Sequence, residues 1–360
     1  MLKKISSLIL SFIIILSFNA CGKDGKKDDQ KKNDQKTVTK KGKVFKLAIM
    51  EAQNKEPYKS TRLKAIEVLK TKYGFEVGKN LEISYVSIGN DKNKGIKALD
   101  EIAAKKPDVI LIGGTVAGVA VKESKYFKDN KYNFIFSNIT DPVGVGLVDS
   151  MDALPPHNVT GVCYPVPAKS RLKFVKTLMP KLKTIALIYA DMPQSHSYKK
   201  WVDLAIRTPE LKNLKVIYKV VPLIKGEDGA KKMAAKAKKF VKQLNNKVDA
   251  FIGPNDQMGV QKPFNDVVYK NSNKPLIGLS VGSVTKGWGA TASIAPDTVA
   301  SGEQIAEMIS DVFQGKKIQD IMPQWPRKYA FAFDLKKAKK FKINVPVDLI
   351  EATPEKNVIK

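Results

Sequence analysis

Two stretches far apart in the chain follow the same short pattern. Pro107–Gly114 (PDVILIGG) and Val248–Pro254 (VDAFIGP) each run from an aspartate through an apolar strand to a glycine break. A short all-apolar run bounded by turn residues has the character of a strand buried on both faces, as in a parallel sheet flanked by helices. A chain that builds such a strand twice, each within a matching succession of strand, turn and helix, is directed towards two α/β halves.

The first half begins with a strand at Val44–Met50 and a polar turn at Glu51–Lys59, which carries Pro57 and Tyr58. Leu63, Ile66, Val68 and Leu69 recur at helical spacing until Gly74. Leu81–Val86 is the next strand, and Ile96, Leu99, Ile102 and Ala103 mark a second amphipathic helix. The second half predicts a helix over Ala168–Met179, a strand over Thr184–Tyr189 and a turn over Ala190–Ser197. A helix near Lys200–Arg207, a strand at Val216–Val221, a long helix between Asp228 and Asn245, and a strand at Leu276–Ser280 follow. Beyond Val281 the pattern changes. Gly287–Trp288–Gly289 introduces a strand at Ala290–Ile294, and Asp297 opens a helix with Val299, Ile305, Met308, Ile309, Val312 and Phe313 on one face.

In the stretch Asn133–Pro165 a buried strand (Asn133–Phe136) ends in Asn138–Ile139–Thr140–Asp141–Pro142 and a second strand covers Val159–Val162, and the pattern starts again after Gly161. Small polar residues at the carboxyl end of a buried strand are where open α/β sheets keep their ligands. ThrAspProVal, a short spacer, AsnValThrGly and then a helix ending at Pro180 resembles the tryptophan/tyrosine-type substrate-binding lipoproteins of ABC importers, from about Lys46 to the C-terminus. The resemblance implies a type I periplasmic-binding-protein fold, with two doubly wound, Rossmann-like lobes joined by a three-strand hinge. It implies residues 44–160 plus 285–322 for the first lobe and 161–284 plus 323–360 for the second, with a return crossing near Met322–Phe333.

The N-terminus speaks to the compartment. Lys3 and Lys4 precede the apolar run Leu8–Phe18, which stops at Asn19–Ala20–Cys21. Eleven residues are too few to span a hydrocarbon core of roughly 30 Å as a helix, and the arrangement is that of a secretory signal over residues 1–20. Ala20–Cys21 is similar to a lipobox, making Cys21 the acylated first residue of the mature chain; ordinary signal cleavage beside an incidental cysteine is the alternative. Residues 21–43 carry almost nothing apolar and read as a lysine-rich tether.

The net charge of +28 raises the question of nucleic acid. Two lysines lie in the leader and nine lysines face four aspartates in the tether, which leaves about +21 on the rest. Only Arg62, Arg171, Arg207 and Arg327 are arginines, the residue suited to base readout and bidentate phosphate contact. Dispersed lysines read as a solvated surface that attracts anionic lipid or wall polymers, and export removes the chain from cytoplasmic nucleic acid. Past the tether Cys163 stands alone, so no internal disulfide forms there, and it reads as a small buried hydrophobe.

The sequence holds no HExxH or Walker loop, and its two histidines, His157 and His196, are far apart. No enzyme, cofactor or metal site is expected. The candidate ligand residues are instead turn and helix-start residues. Thr115, Val116 and Ala117 follow one strand and Thr140 and Asp141 another, placed for helix-terminus recognition of a carboxylate; turn chemistry alone also explains Thr140–Asp141. In the second half Asn255 and Asp256 hold the matching place, where a carboxylate suits a ligand ammonium or caps the following helix. Relatives commonly carry Pro, Thr, Asp, Asn there; Pro254 and Asp256 match, Asn255 and Gln257 do not. Tyr189 and Ser195 belong to a turn where relatives tend to carry Glu and then Asn-Ser; Pro193, Ser195 and His196 stand here, which points away from an aromatic ligand. Trp288 is a candidate stacking residue or simple packing. The expectation is a monomeric, membrane-anchored, extracytoplasmic protein that captures a small polar solute, an amino acid with an aromatic one left open, between its lobes, hands it to an ABC permease and binds no nucleic acid. A surface adhesin or a solute sensor with the same fold are the alternatives.

Overall fold

The computed structural model describes residues 42–360. The expected signal, Cys21 and nearly all of the tether lie outside the described residues.

The first lobe runs β1 (Phe45–Glu51), α1 (Tyr58–Thr71), β2 (Leu81–Ser87), α2 (Lys92–Ala104), β3 (Val109–Gly113), α3 (Thr115–Lys122), β4 (Phe134–Ile139), α4 (Pro142–Val145) and β5 (Val159–Cys163). The second runs α5 (Ala168–Leu178), β6 (Thr184–Ala190), α6 (Pro193–Ala205), β7 (Lys215–Val221), α7 (Gly229–Leu244), β8 (Ala250–Ile252), α8 (Lys262–Asn271), β9 (Leu276–Gly278), α9 (Gly282–Thr285) and β10 (Ala292–Pro296). Then come α10 (Thr298–Phe313), β11 (Tyr329–Asp334), α11 (Leu335–Lys340), α12 (Val347–Glu351) and β12 (Val358–Ile359).

Sheet order shows the duplication. The first sheet is β2-β1-β3-β4-β5, all parallel. The second contains β10-β9-β8-β6-β7 in the equivalent order, extended by β11, antiparallel to β10, and by β12. Each sheet reverses its winding beside its first strand, the switch point at which doubly wound sheets open a crevice. β3 is buried at all five positions, as the apolar run at Pro107–Gly114 implied. This is the type I periplasmic-binding-protein architecture.

α10 follows the second sheet but packs in the first lobe. Its start is fixed by Asp297, whose carboxylate accepts from the N–H groups of Val299 and Ala300 at 2.9 and 3.3 Å. Ile305, Met308, Ile309 and Phe313 turn into the first core, whereas Val299 is 50% exposed and not part of the stripe. Gly302 lets α10 lie hard against α1, because a Cβ there would meet Lys64 Cβ at 2.7 Å and the Thr61 carbonyl oxygen at 2.8 Å.

Three segments cross between the lobes: Tyr164–Pro167, Pro296–Thr298 and Met322–Lys328. They are tied together, with Cys163 N–H donating to the Gln324 carbonyl at 3.0 Å and Asp297 N–H to that of Lys328 at 3.0 Å. The boundaries differ from the expected ones. β10 pairs with β9 and β11, so residues 285–296 belong with the second sheet and the return to the first lobe falls at Asp297. All of β5 stays in the first sheet, which moves that crossing from residue 161 to beyond Cys163.

Candidate functional site

The carboxyl ends of the two sheets meet. Asn255, after β8, donates from Nδ2 to Thr140 Oγ1, after β4, at 2.8 Å. Tyr58, in the first turn of α1, donates its hydroxyl to Gln257 Oε1 at 2.9 Å, and Gln261 Nε2 donates to the Glu56 carbonyl at 2.7 Å. At a second point the loop after β7 reaches the first lobe. Gly226 N–H donates to the Gly89 carbonyl at 2.7 Å, Gln53 Nε2 donates to the Gly226 carbonyl at 2.9 Å, and Lys225 pairs with Asp91 at 3.3 Å. The lobes are closed on one another.

Within the closed interface lies a cavity of about 20 Å³, lined by Thr115, Asn138, Thr140 and Tyr58 from the first lobe, Tyr164 from the first crossing, and Gln194, Asn255, Asp256 and Gln257 from the second lobe. The chemistry of this lining is unusual for an interior. Four amide side chains each keep one buried polar atom unpartnered: Asn138 Nδ2, Gln194 Oε1, Asn255 Oδ1 and Gln257 Nε2. Buried polar atoms left without partners are costly, and where they cluster they call for water or a ligand. Two are donors and two are acceptors.

Asp256 is the one ionisable carboxylate in that lining, and it is 4% exposed. Its oxygens accept from Ala190 N–H at 2.7 Å, Ser195 Oγ at 3.0 Å and Gly259 N–H at 2.9 Å. No cationic side chain pairs with it among the described residues. Burial pushes its carboxyl up to about 6, against the opposing pull of these hydrogen bonds. It is neither at a cleft edge nor the cap of the following helix: α8 starts at Lys262, with Gln261 in the cap position. Asp256 instead staples the loop after β8 to the end of β6, and it lines the cavity.

Opposite it stands the start of α3. Gly114, at φ 93°, is the cap residue, and a Cβ there would meet the Tyr58 ring at 2.8 Å, so glycine is what allows the ring to cover the helix start. The first-turn N–H groups have no intrahelical acceptor, and Thr115 Oγ1 accepts from Thr140 N–H at 3.4 Å. The side chains of Val116 and Ala117 turn away into the first core. Of that trio only Thr115 lines the cavity.

The structure sorts the other candidates. Thr140, Asn255 and Asp256 line the cavity. Asp141 caps α4, its Oδ1 accepting from Gly144 N–H at 2.8 Å. Tyr189 is buried in the second core, with its ring edge-on to Tyr218 at 6.3 Å. Ser195 stands behind Asp256 as a donor. The expected turn at Ala190–Ser197 shrinks to Asp191–Met192, since Ala190 ends β6 and α6 opens at Pro193, which sits at the first helical position, where its missing N–H costs nothing. That puts Gln194 at the cavity. Trp288 lies outside it, half-buried in an adjoining groove of about 710 Å³ that shares Pro57, Tyr164 and Val260 with the cavity and also holds Tyr329 and Phe331. Cys163 is buried at the end of β5, and burial pushes its thiol up.

Tyr58, Asn138, Tyr164, Gln194 and Gln257 were not among the sequence candidates. Tyr58 had the one available signal, an aromatic ring directly after proline in an otherwise polar turn.

Comparison with known proteins gives a consistent picture. A family model described as ABC transporter substrate binding protein matches residues 54–357. The chain is 26% identical over 322 residues to a tyrosine-binding protein of Clostridioides difficile, covering 89% of this chain and 86% of that one. In structure it is similar to an ABC domain from Streptococcus pneumonia solved in complex with L-Trp, with a TM-score of 0.74 and 22% identity over 88% of this chain and all of that one. It is also similar to the ligand-free, open form of a substrate-binding protein with adhesive properties from Clostridium difficile, with a TM-score of 0.63 and 20% identity over 88% of this chain and 98% of that one.

Proposed function

The chain belongs to the ABC transporter substrate-binding protein family, and from that premise we propose that it captures a free amino acid between its lobes for an ABC importer. The observation that carries this reading is the polarity of the cavity. Asp256, a buried carboxylate with no cationic partner among the described residues, shares the cavity lining with Thr115 at the start of α3 and with four half-satisfied amides. An ammonium supplies the cation Asp256 lacks, and a carboxylate suits the α3 N–H groups and the donors of Asn138 and Gln257. Only a zwitterion satisfies both ends. That the relatives above are described as binding tyrosine and L-Trp supports the class of ligand. The groove with Trp288, Tyr329 and Phe331 adjoins the cavity and supplies apolar surface for a side chain once the lobes part.

The test is a melting screen with the free amino acids, alongside nucleosides and small organic acids as other solute classes. A solute that binds only the folded form adds about 2.7 kcal/mol at a hundredfold excess over Kd. For a chain of this size that is a shift of several degrees. If no amino acid moves the melt, the amino-acid reading fails. The adhesin reading, favoured by the adhesive properties of one structural relative, then takes its place.

We also propose that Cys21 carries lipid, on the lysines, apolar run and Ala20–Cys21 of the N-terminus. No helix among the described residues is long and apolar enough to cross a membrane. Fatty-acid labelling in cells should mark the wild-type chain and not Cys21→Ala; equal labelling of the two would refute the anchor.

A further inference from the structure

The outer face of α7 is made almost wholly of lysine. Lys231, Lys232, Lys236, Lys238, Lys239 and Lys242 are all exposed, and the other exposed positions of the helix are Ala235 and Gln243. Met233, Ala234, Ala237, Val241 and Leu244 fill the opposite side and enter the core. At 100° per residue the lysines cover less than half of the circumference, so they form one face rather than a scatter.

Two further features set this helix apart. It contains no acidic residue, whereas the other described helices of 13 or more residues, α1, α2, α6 and α10, each carry at least one. None of its lysines forms an ion pair among the described residues, while Lys64, Lys92 and Lys199 on α1, α2 and α6 are each paired. Glu227, just before the helix, is drawn off to the first lobe by Ser87. The basic face continues onto β7, the edge strand of its sheet: Lys219 and Lys239 approach the Phe240 ring at 5.8 and 4.9 Å. Unpaired like charges along a helix destabilise it, so this face is carried at a cost.

We propose that the α7 face is a docking surface for an anionic lipid bilayer. The helix is about 24 Å long at 1.5 Å per residue, and its charges lie side-on along it, which matches a plane of headgroups rather than a single buried anion. All of the charge is lysine: strongly hydrated point charges without the fork that reads individual phosphates. A nucleic-acid surface would use exposed aromatic rings to stack bases, but the one ring on this helix, Phe240, is partly buried beneath Lys219 and Lys239. A lysine near an anionic membrane surface strengthens attachment by roughly fivefold, within a Debye length and subject to salt.

The experiment uses the full chain and two variants with equal loss of charge. One carries Lys231→Gln, Lys232→Gln, Lys238→Gln and Lys239→Gln. The other carries Lys94→Gln, Lys97→Gln, Lys105→Gln and Lys106→Gln, exposed positions in the first lobe. Glutamine keeps helix propensity, and unchanged melting curves check the fold. Sedimentation with vesicles of phosphatidylglycerol and phosphatidylcholine in equal parts should show the α7 variant bound several hundredfold more weakly at low salt. The first-lobe variant should stay close to wild type, and added salt should erase the difference. Vesicles of phosphatidylcholine alone give the contribution of the N-terminal residues, which all three proteins share. Equal loss in both variants would show net charge alone at work and overturn the proposal, as would no loss in either. Loss of polyphosphate binding with vesicle binding intact would also overturn it, in favour of a soluble polyanion.

Discussion

Asp256→Asn is expected to weaken amino-acid binding at least tenfold at neutral pH while leaving the ligand-free melting point close to that of the wild type. The loss follows from removing the charge that pairs with the ligand ammonium. A hydrogen bond to a charged group is worth about 1.5–3 kcal/mol, and each 1.4 kcal/mol is a decade in Kd. The small effect on the empty protein follows from two opposing terms. The amide cannot accept from all of Ala190, Ser195 and Gly259 as the carboxylate does, and an orphaned buried donor costs about 1–3 kcal/mol. Against this, the variant no longer buries an unpaired charge, a cost of similar size.

The pH dependence gives the same variant a second readout. The folded-state pKa of Asp256, about 6, lies above its ordinary value of 3.8. The folded chain therefore holds this proton longer than the unfolded chain. The resulting stability is fully present below about pH 4 and is lost as pH rises through about 6. Ligand affinity should run the other way. An ammonium selects the ionised carboxylate, so the wild-type Kd should rise by up to about tenfold for each pH unit below 6. In the asparagine variant both trends should flatten. Calorimetric titration at pH 5 and 7, beside melting curves at the same pH values, separates the roles. An unchanged Kd with a lower melting point would leave Asp256 as a loop staple and nothing more.

The sequence carried the architecture because a buried parallel strand writes itself locally. Pro107–Gly114 and Val248–Pro254 could be matched without any knowledge of what they touch, and Asp297 announced α10 by a cap that involves only its own neighbours. What failed was whatever depends on partners distant in the chain. Periodicity placed Val299 on the apolar stripe of α10, but the first turn of that helix overhangs solvent. β10 reads as a generic short strand, and nothing in its residues says which sheet it joins.

The site follows the same division. Thr115, Thr140, Asn255 and Asp256 were legible as polar residues at strand ends, because that is where open sheets keep crevices. The acceptor role of Asp256 was not, since its partner Ala190 lies 66 residues away. Proline at the start of α6 looks like a turn until the helix behind it is seen, and that hid Gln194. Tyr164 and Asn138 are strand-end residues that only the closing of the lobes brings into one cavity lining.

The second large effect is expected behind the cavity lining, at Arg62. Its Nη1 donates to Glu51 Oε2 at the end of β1, its Nη2 to Asn54 Oδ1 at 2.9 Å, and its guanidinium stacks on the Tyr85 ring at 4.2 Å. Glu51 is 1% exposed, and burial pushes its carboxyl up to about 7 while Arg62 pulls it down. Gly113 gives it room, since a Cβ there would meet Glu51 Cγ at 2.8 Å. Arg62→Met strands that carboxylate in the core, and breaking a buried pair from one side costs about 3–5 kcal/mol. The melting point should fall by roughly 5–10 °C. Ligand affinity should fall with it, because the same guanidinium holds Asn54 and the opening of α1, where Tyr58 covers the α3 start. Removing both charges with Glu51→Leu and Arg62→Met should restore most of the melting point, since an apolar pair of similar volume matches a buried ion pair. If the single variant melts with the wild type, the pair contributes no more than an exposed one, and the placement of α1 has to come from its packing against α10.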